Sequence, residues 1–123
     1  MKFEEITKKI IKCAMEVHTA LGPGLLENTY KECLYYKLCK AGLYVEKEKP
    51  LPLVFEGSNL DCGYRIDLLV ENNIIIELKS VKKIEDIHLS QILTYMKLGK
   101  LKVGLIINFN VISLKDGIRR VIN

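Results

Sequence analysis

The sequence predicts an α/β protein, a mixed β-sheet flanked by helices in the order helix, helix, strand, strand, strand, helix, strand. Three observations carry this reading. Apolar residues recur at helical spacing through roughly the first forty positions, and from Tyr44 the period shortens to two. A helical stretch then separates two strongly apolar runs, Ile74 to Ser80 and Leu101 to Asn108, which predicts a right-handed parallel crossover.

The first helix spans about Phe3 to Leu21, with Phe3, Ile6, Ile10, Cys13 or Ala14, Val17 and Leu21 on its apolar face. Gly22-Pro23-Gly24 ends it, since proline lacks a donor and glycine allows a sharp turn. A second helix is expected from about Leu25 to Ala41, with Leu26, Tyr30, Leu34 and Leu38 on one stripe and Gly42 as its cap. Tyr44 to Phe55 reads as an edge or interrupted strand, because Pro50 and Pro52 cannot donate to a ladder. Glu56-Gly57-Ser58-Asn59 is a turn. From Leu60 to Val70 residues alternate, with Leu60, Cys62, Tyr64, Ile66, Leu68 and Val70 on one face and Asp61, Gly63, Arg65, Asp67 and Leu69 on the other. After Glu71-Asn72-Asn73, the isoleucines of Ile74 to Ser80 suit a central strand covered on both sides. A third helix from about Ile84 to Leu98, a strand from Leu101 to Asn108, a loop to Asp116 and a short strand from Ile118 to Ile122 complete the chain.

With 123 residues, 49% apolar and 28% charged, residues 1–123 are expected to form one domain around one core. No apolar run is long enough to span a bilayer, and the N-terminal Met1-Lys2-Phe3-Glu4-Glu5 is acidic where a signal peptide is basic, so a cytoplasmic location is expected. Cys13, Cys33, Cys39 and Cys62 form no C-x-x-C pair, and His18 and His88 complete no zinc spacing, so the cysteines are expected to be small core hydrophobes. The net charge of +4 is compatible with a polyanionic partner without requiring one.

Period-two geometry puts Glu77 and Lys79 on one face of their strand, with Leu78 opposite. Asp67 becomes the cross-strand neighbour of Glu77 if the intervening loop is odd, such as Glu71-Asn72-Asn73; a two-residue turn would oppose Asp67 to Leu78 instead. Two adjacent carboxylates repel unless a cation lies between them, and such hard oxygen donors suit magnesium or manganese. Lys79 could then orient or deprotonate a water, or stabilise charge on a phosphodiester. A cross-strand ion pair would also account for the E-x-K triplet, but burial of both charges in an apolar strand without a purpose is costly. Glu27 in the first turn of the second helix is either a dipole-matched helix start or a further acid, and Tyr30 either core or site support. On the third helix, His88, Gln91 and Tyr95 form a polar stripe that is either solvated or faces a cleft.

Gly63-x-x-x-Asp67, Glu77-x-Lys79 and Gln91-x-x-x-Tyr95 resemble the motifs of RecB-like nucleases in the PD-(D/E)XK superfamily. Gly24-x-x-Glu27-x-x-Tyr30 is similar to the signature of the GxxExxY proteins, a branch of that superfamily. The similarity continues through Ile74 to Ser80, His88 to Gln91 and Gly104 to Phe109, and reaches Arg119-Arg120-Val121; Ile66-Asp67 replaces the usual Pro-Asp pair. The resemblance implies a restriction-endonuclease-like core. It implies a magnesium or manganese ion held by Asp67, Glu77, the Leu78 carbonyl and Glu27. It implies catalysis by Lys79 with those acids, supported by Gln91, Tyr95, Tyr30 and His88. The expected activity is phosphodiester hydrolysis of nucleic acid, DNA ahead of RNA, with a homo-oligomer or a partner protein as possible company. The alternative is a nucleic-acid-binding or assembly module that keeps the fold with little chemistry.

Overall fold

The computed structural model describes residues 2–123; Met1, part of the acidic N-terminus noted above, lies outside them. Helix α1 (Phe3–Leu21) buries Ile6, Ile10, Cys13, Ala14 and Val17, the stripe its spacing demands. It ends at Gly22, whose φ of 69° a side chain would resist. Helix α2 (Glu27–Lys40) buries Tyr30, Leu34 and Leu38, but Leu26 stands outside that stripe, 78% exposed. The reason is local: Leu26 is the extended N-cap, so its side chain is not on the helical face it would have extended.

The strands are β1 (Val45–Pro50), β2 (Leu53–Phe55), β3 (Ser58–Leu60), β4 (Arg65–Val70), β5 (Ile74–Lys79), β6 (Val103–Asn108) and β7 (Ile118–Ile122), with α3 (Asp86–Gly99) between β5 and β6. Five of them form a mixed sheet in the order β1-β4-β5-β6-β7, so β5 is central as its two-sided isoleucines require. β5 and β6 are parallel, joined through α3, and every other neighbouring pair in this sheet is antiparallel. A four-residue 3-10 helix, Leu114–Gly117, stands in the segment expected to be loop.

The long alternating strand expected from Leu60 to Val70 does not form. β2 and β3 instead make a separate hairpin, and the sheet strand resumes only at Arg65. Gly63, at φ 80°, breaks the run: one left-handed residue redirects the chain and cancels alternation on either side. Alternation also slips inside β4. Leu68 and Val70 pack toward α1 and α2, whereas Ile66 joins Leu69 on the α3 side. Glu48, which lies between the paired residues Lys47 and Lys49, has a φ of 54°, and the β1–β4 ladder skips it.

The sheet is covered on both faces. Ile74, Ile76 and Leu78 pack against α1 and α2, and Ile75 packs against Ile92, Tyr95 and Met96 of α3. Glu77 and Lys79 alternate with Leu78 and so belong to the α3 face. Gly104 lets α3 sit close to β6, because a Cβ there would meet Met96 Sδ at 2.9 Å and the ends of Ile75 and Ile92 at 3.0 Å. The cysteines depart from expectation: only Cys13 is buried, while Cys39 and Cys62 are exposed. Cys39 falls on the outer side of α2 and Cys62 in the irregular segment before β4, so neither meets a core face. Among the described residues, no helix is long and apolar enough to cross a membrane.

Candidate functional site

The loop between β4 and β5 decides the site's geometry. Val70 pairs with Ile74, leaving the three-residue loop Glu71-Asn72-Asn73, with Glu71 and Asn72 left-handed. The register runs Val70–Ile74, Leu69–Ile75 and Leu68–Ile76, so its next step sets Asp67 against Glu77. There the regular ladder stops and side chains replace it. The Asp67 N–H donates to Glu77 Oε1 at 3.3 Å, and the Leu78 N–H donates to Asp67 Oδ2 at 2.9 Å. In an extended strand a residue's N–H and C=O point to the same edge, so the Leu78 carbonyl is also directed toward β4.

Glu77 is only 6% exposed. Burial, then the negative charge of Asp67, pushes its carboxyl up to about 8, against the opposing pull of the Asp67 N–H and the Lys79 ammonium. The proximity of the Asp67 carboxyl adds to the rise, so Glu77 favours its protonated form in the folded state. This is the behaviour of two acids forced together in an apolar wall.

Lys79 lies one pleat repeat further along the same face, and its ammonium donates to Gln91 Oε1 at 3.4 Å. Gln91 Nε2 in turn donates to the Tyr95 hydroxyl at 3.4 Å. Tyr95 is nearly buried; desolvation raises its phenol, the Gln91 contact opposes that, and the charges of Glu77 and Asp67 add to it. The i, i+4 pair on α3 therefore reaches into the cleft, as one of the two readings of that stripe required. His88 behaves differently. Its Nδ1 accepts the Glu85 N–H at 2.9 Å and completes a reciprocal cap on α3 with the Glu85 side chain. One of its ring nitrogens is thus committed to the helix start, which limits its support of the site to the other.

Glu27 is the acid in the first turn of α2, where it suits the helix dipole, and no side chain caps that helix. Its carboxyl is raised by partial burial, lowered by Lys79 and raised again by Asp67, which places it in the electrostatic field of the site. Among the described residues, no three His, Cys, Asp or Glu side chains form a ready-made metal cluster. The position of Glu27 is set through the backbone. The Tyr30 hydroxyl donates to the Gly22 carbonyl and accepts the Leu25 N–H at 3.1 Å, while its ring stacks on Phe109 at 4.5 Å. Tyr30 is therefore support rather than chemistry. Tyr30→Phe keeps the stack and strips both loop contacts; a loss of about 1–2 kcal/mol in urea melts is expected, and an unchanged midpoint would contradict the anchoring role.

Three contributors escaped the sequence reading. The Ser80 hydroxyl donates to the Leu25 carbonyl at 2.8 Å, tying the end of β5 to the glycine-rich loop. Asn108 is 1% exposed; its Oδ1 accepts the Val81 and Asn110 N–H groups, and its Nδ2 donates to the Val81 carbonyl. It clamps the segment after Lys79 in place. Tyr64 lies 5.8 Å from Tyr95, ring to ring. For Asn108, a polar residue closing an apolar strand was the available signal; nothing local marked Ser80 or Tyr64.

No match was found among curated proteins or among solved structures. A family model, that of the PD-(D/E)XK nuclease superfamily, matches residues 4–121. That span takes in both strands of the carboxylate pair, Lys79, the Gln91–Tyr95 pair and the mixed sheet that holds them, and the chain belongs to the PD-(D/E)XK nuclease superfamily.

Proposed function

We propose that this chain is a single-domain, divalent-metal-dependent nuclease that hydrolyses phosphodiester bonds of nucleic acid, DNA being the expected substrate. The observation that carries the reading is the Asp67–Glu77 pair, two acids interlocked through the Asp67 and Leu78 N–H groups at the end of a central strand, with Lys79 on the face of Glu77. Two acids held together beside a core gain nothing for stability from that arrangement, and a cation between them relieves it. The donor set suits magnesium or manganese: two carboxylates and the Leu78 carbonyl are hard oxygens. A divalent ion bound there would neutralise charge on the phosphodiester and acidify a bound water.

The chain's own residues do the rest. Lys79, steadied by Gln91, presents an ammonium at the mouth of the carboxylate pair, where it can hold the attacking water and balance charge on the phosphoryl oxygens. Tyr95 braces Gln91 from behind. Glu27 lies in the field of Lys79 and Asp67 from α2, where it could add a carboxylate to the ion. Similarity of Gly24, Glu27 and Tyr30 to the GxxExxY signature supports the same assignment.

The alternative is a module that keeps the fold with little turnover. Purified protein incubated with single- and double-stranded DNA and RNA, in magnesium or manganese, decides between them. Cleavage by wild type that falls at least about 100-fold in both Glu77→Ala and Lys79→Ala supports the nuclease. Binding without cleavage, indifferent to metal and to both substitutions, supports the module.

A further inference from the structure

A groove of about 320 Å³ runs between the β2–β3 hairpin and α3, within the size range of ligand sites. Leu53, Tyr64, Ile87 and Leu98 supply apolar walls, and Gln91 and Tyr95 form its inner end. Tyr64 is 43% exposed, and its ring is tilted 59° to that of Tyr95. One aromatic is thus nearly buried and hydrogen-bonded, while its neighbour leaves surface open to the groove.

Two features say what the groove takes. It is continuous with the candidate active site, because Gln91 lines it and also receives Lys79. Beside Tyr64 stands Arg65, whose guanidinium donates to the Tyr64 carbonyl and lies 3.7 Å from Asp61, with much of its side chain exposed. A planar ring and a polar amide lining the groove, the amide in contact with Lys79, and a cation at its margin match one nucleotide of a single strand: base on the ring, base edge at the amide, phosphate toward the guanidinium.

We propose that the Tyr64 groove is a nucleobase site that receives an unpaired base next to the scissile phosphate, making single-stranded or frayed nucleic acid the preferred substrate. This rests on the nuclease reading and extends it. A base held in a duplex cannot enter without unstacking, so the groove discriminates by base accessibility rather than by sequence. Stacking is tolerant of base identity, because every base has a π-face.

The test uses Glu77→Gln protein, which lacks the acid proposed to serve cleavage, and a 12-nucleotide single-stranded DNA carrying 2-aminopurine at one position along a series. Quenching at one or two adjacent positions is expected, lost in the Tyr64→Ala double variant and kept in Tyr64→Phe. Affinity for the single strand should fall about 5- to 100-fold in the alanine variant and stay within a few-fold for a blunt duplex. Tyr64→Leu, apolar but without a ring face, should behave like alanine; if it behaves like phenylalanine, stacking is not the interaction and the proposal falls. Equal single-strand affinity in Tyr64→Ala, or a changed oligomeric state with unchanged quenching, also overturns it, the latter marking a protein contact face. Wild-type cleavage that Tyr64→Ala retains on single strands sinks the groove alone. Quenching without any wild-type cleavage sinks the hydrolase reading alone. Failure to bind either oligonucleotide sinks both.

Discussion

Glu77→Gln should stabilise the metal-free protein by roughly 2–4 kcal/mol at pH 8.5, a rise in melting temperature on the order of 10 °C, and by almost nothing at pH 4.5. Folding raises the Glu77 carboxyl from its ordinary 4.5 to about 8. Between those values the native state binds more protons than the unfolded chain, so stability falls as pH rises. The loss begins near pH 4.5, steepens to at most about 1.4 kcal/mol per pH unit, and levels off above about pH 8. Glutamine removes that titration and fits the same contacts: its carbonyl can accept the Asp67 N–H, and its amide can donate to the Asp67 carboxylate. Melting both proteins in chelator across pH 4 to 9 provides the check. Parallel curves would show that Glu77 is not held protonated in the native state. With manganese added, the wild-type curve should rise at the alkaline end and the variant's much less, since the ion takes the place of the missing proton.

Gly117→Ala should cost at least about 2–3 kcal/mol, an effect well beyond the usual helix-favouring gain of that substitution. A Cβ at position 117 would fall inside the contact distance of the Asn108 carbonyl oxygen and approach Val111 Cγ2 at 3.1 Å. The obstacle is main chain at the end of β6, not the tip of a flexible side chain, so the 3-10 helix or β6 must shift. Asn108 is also the residue whose side chain clamps Val81, two positions after Lys79. Cleavage should therefore decline with stability even though position 117 is remote from Lys79 in sequence. Urea melts at neutral pH measure the cost, and a midpoint within experimental scatter of wild type would show that the turn is free to move.

Both effects depend on side chains that the sequence placed unequally well. The carboxylate pair was legible through parity. Glu77 and Lys79 share a face because the strand period is two, and the odd loop Glu71-Asn72-Asn73 brings Asp67 level with Glu77. The centrality of β5 was legible too, from isoleucines on both faces. Gln91 and Tyr95 were assigned to one helix face, but whether that face met water or a cleft was open; only the packing of Tyr95 against Ile75 and its neighbours decided it. The strand drawn through Asp61, Cys62, Gly63 and Tyr64 failed because alternation continues in the letters whether or not the backbone does, and one left-handed glycine ended it.

The sequence by itself determined the helices, the central strand and the shared face of Glu77 and Lys79, all of which follow from local periodicity, and it narrowed the hairpin to two registers. The tertiary structure alone decided that His88 caps its own helix, that Asn108 grips Val81, and that the β2–β3 hairpin leaves a groove beside Gln91. Those outcomes depend on which distant surface covers a side chain, and burial by a remote element leaves no periodic trace along the chain.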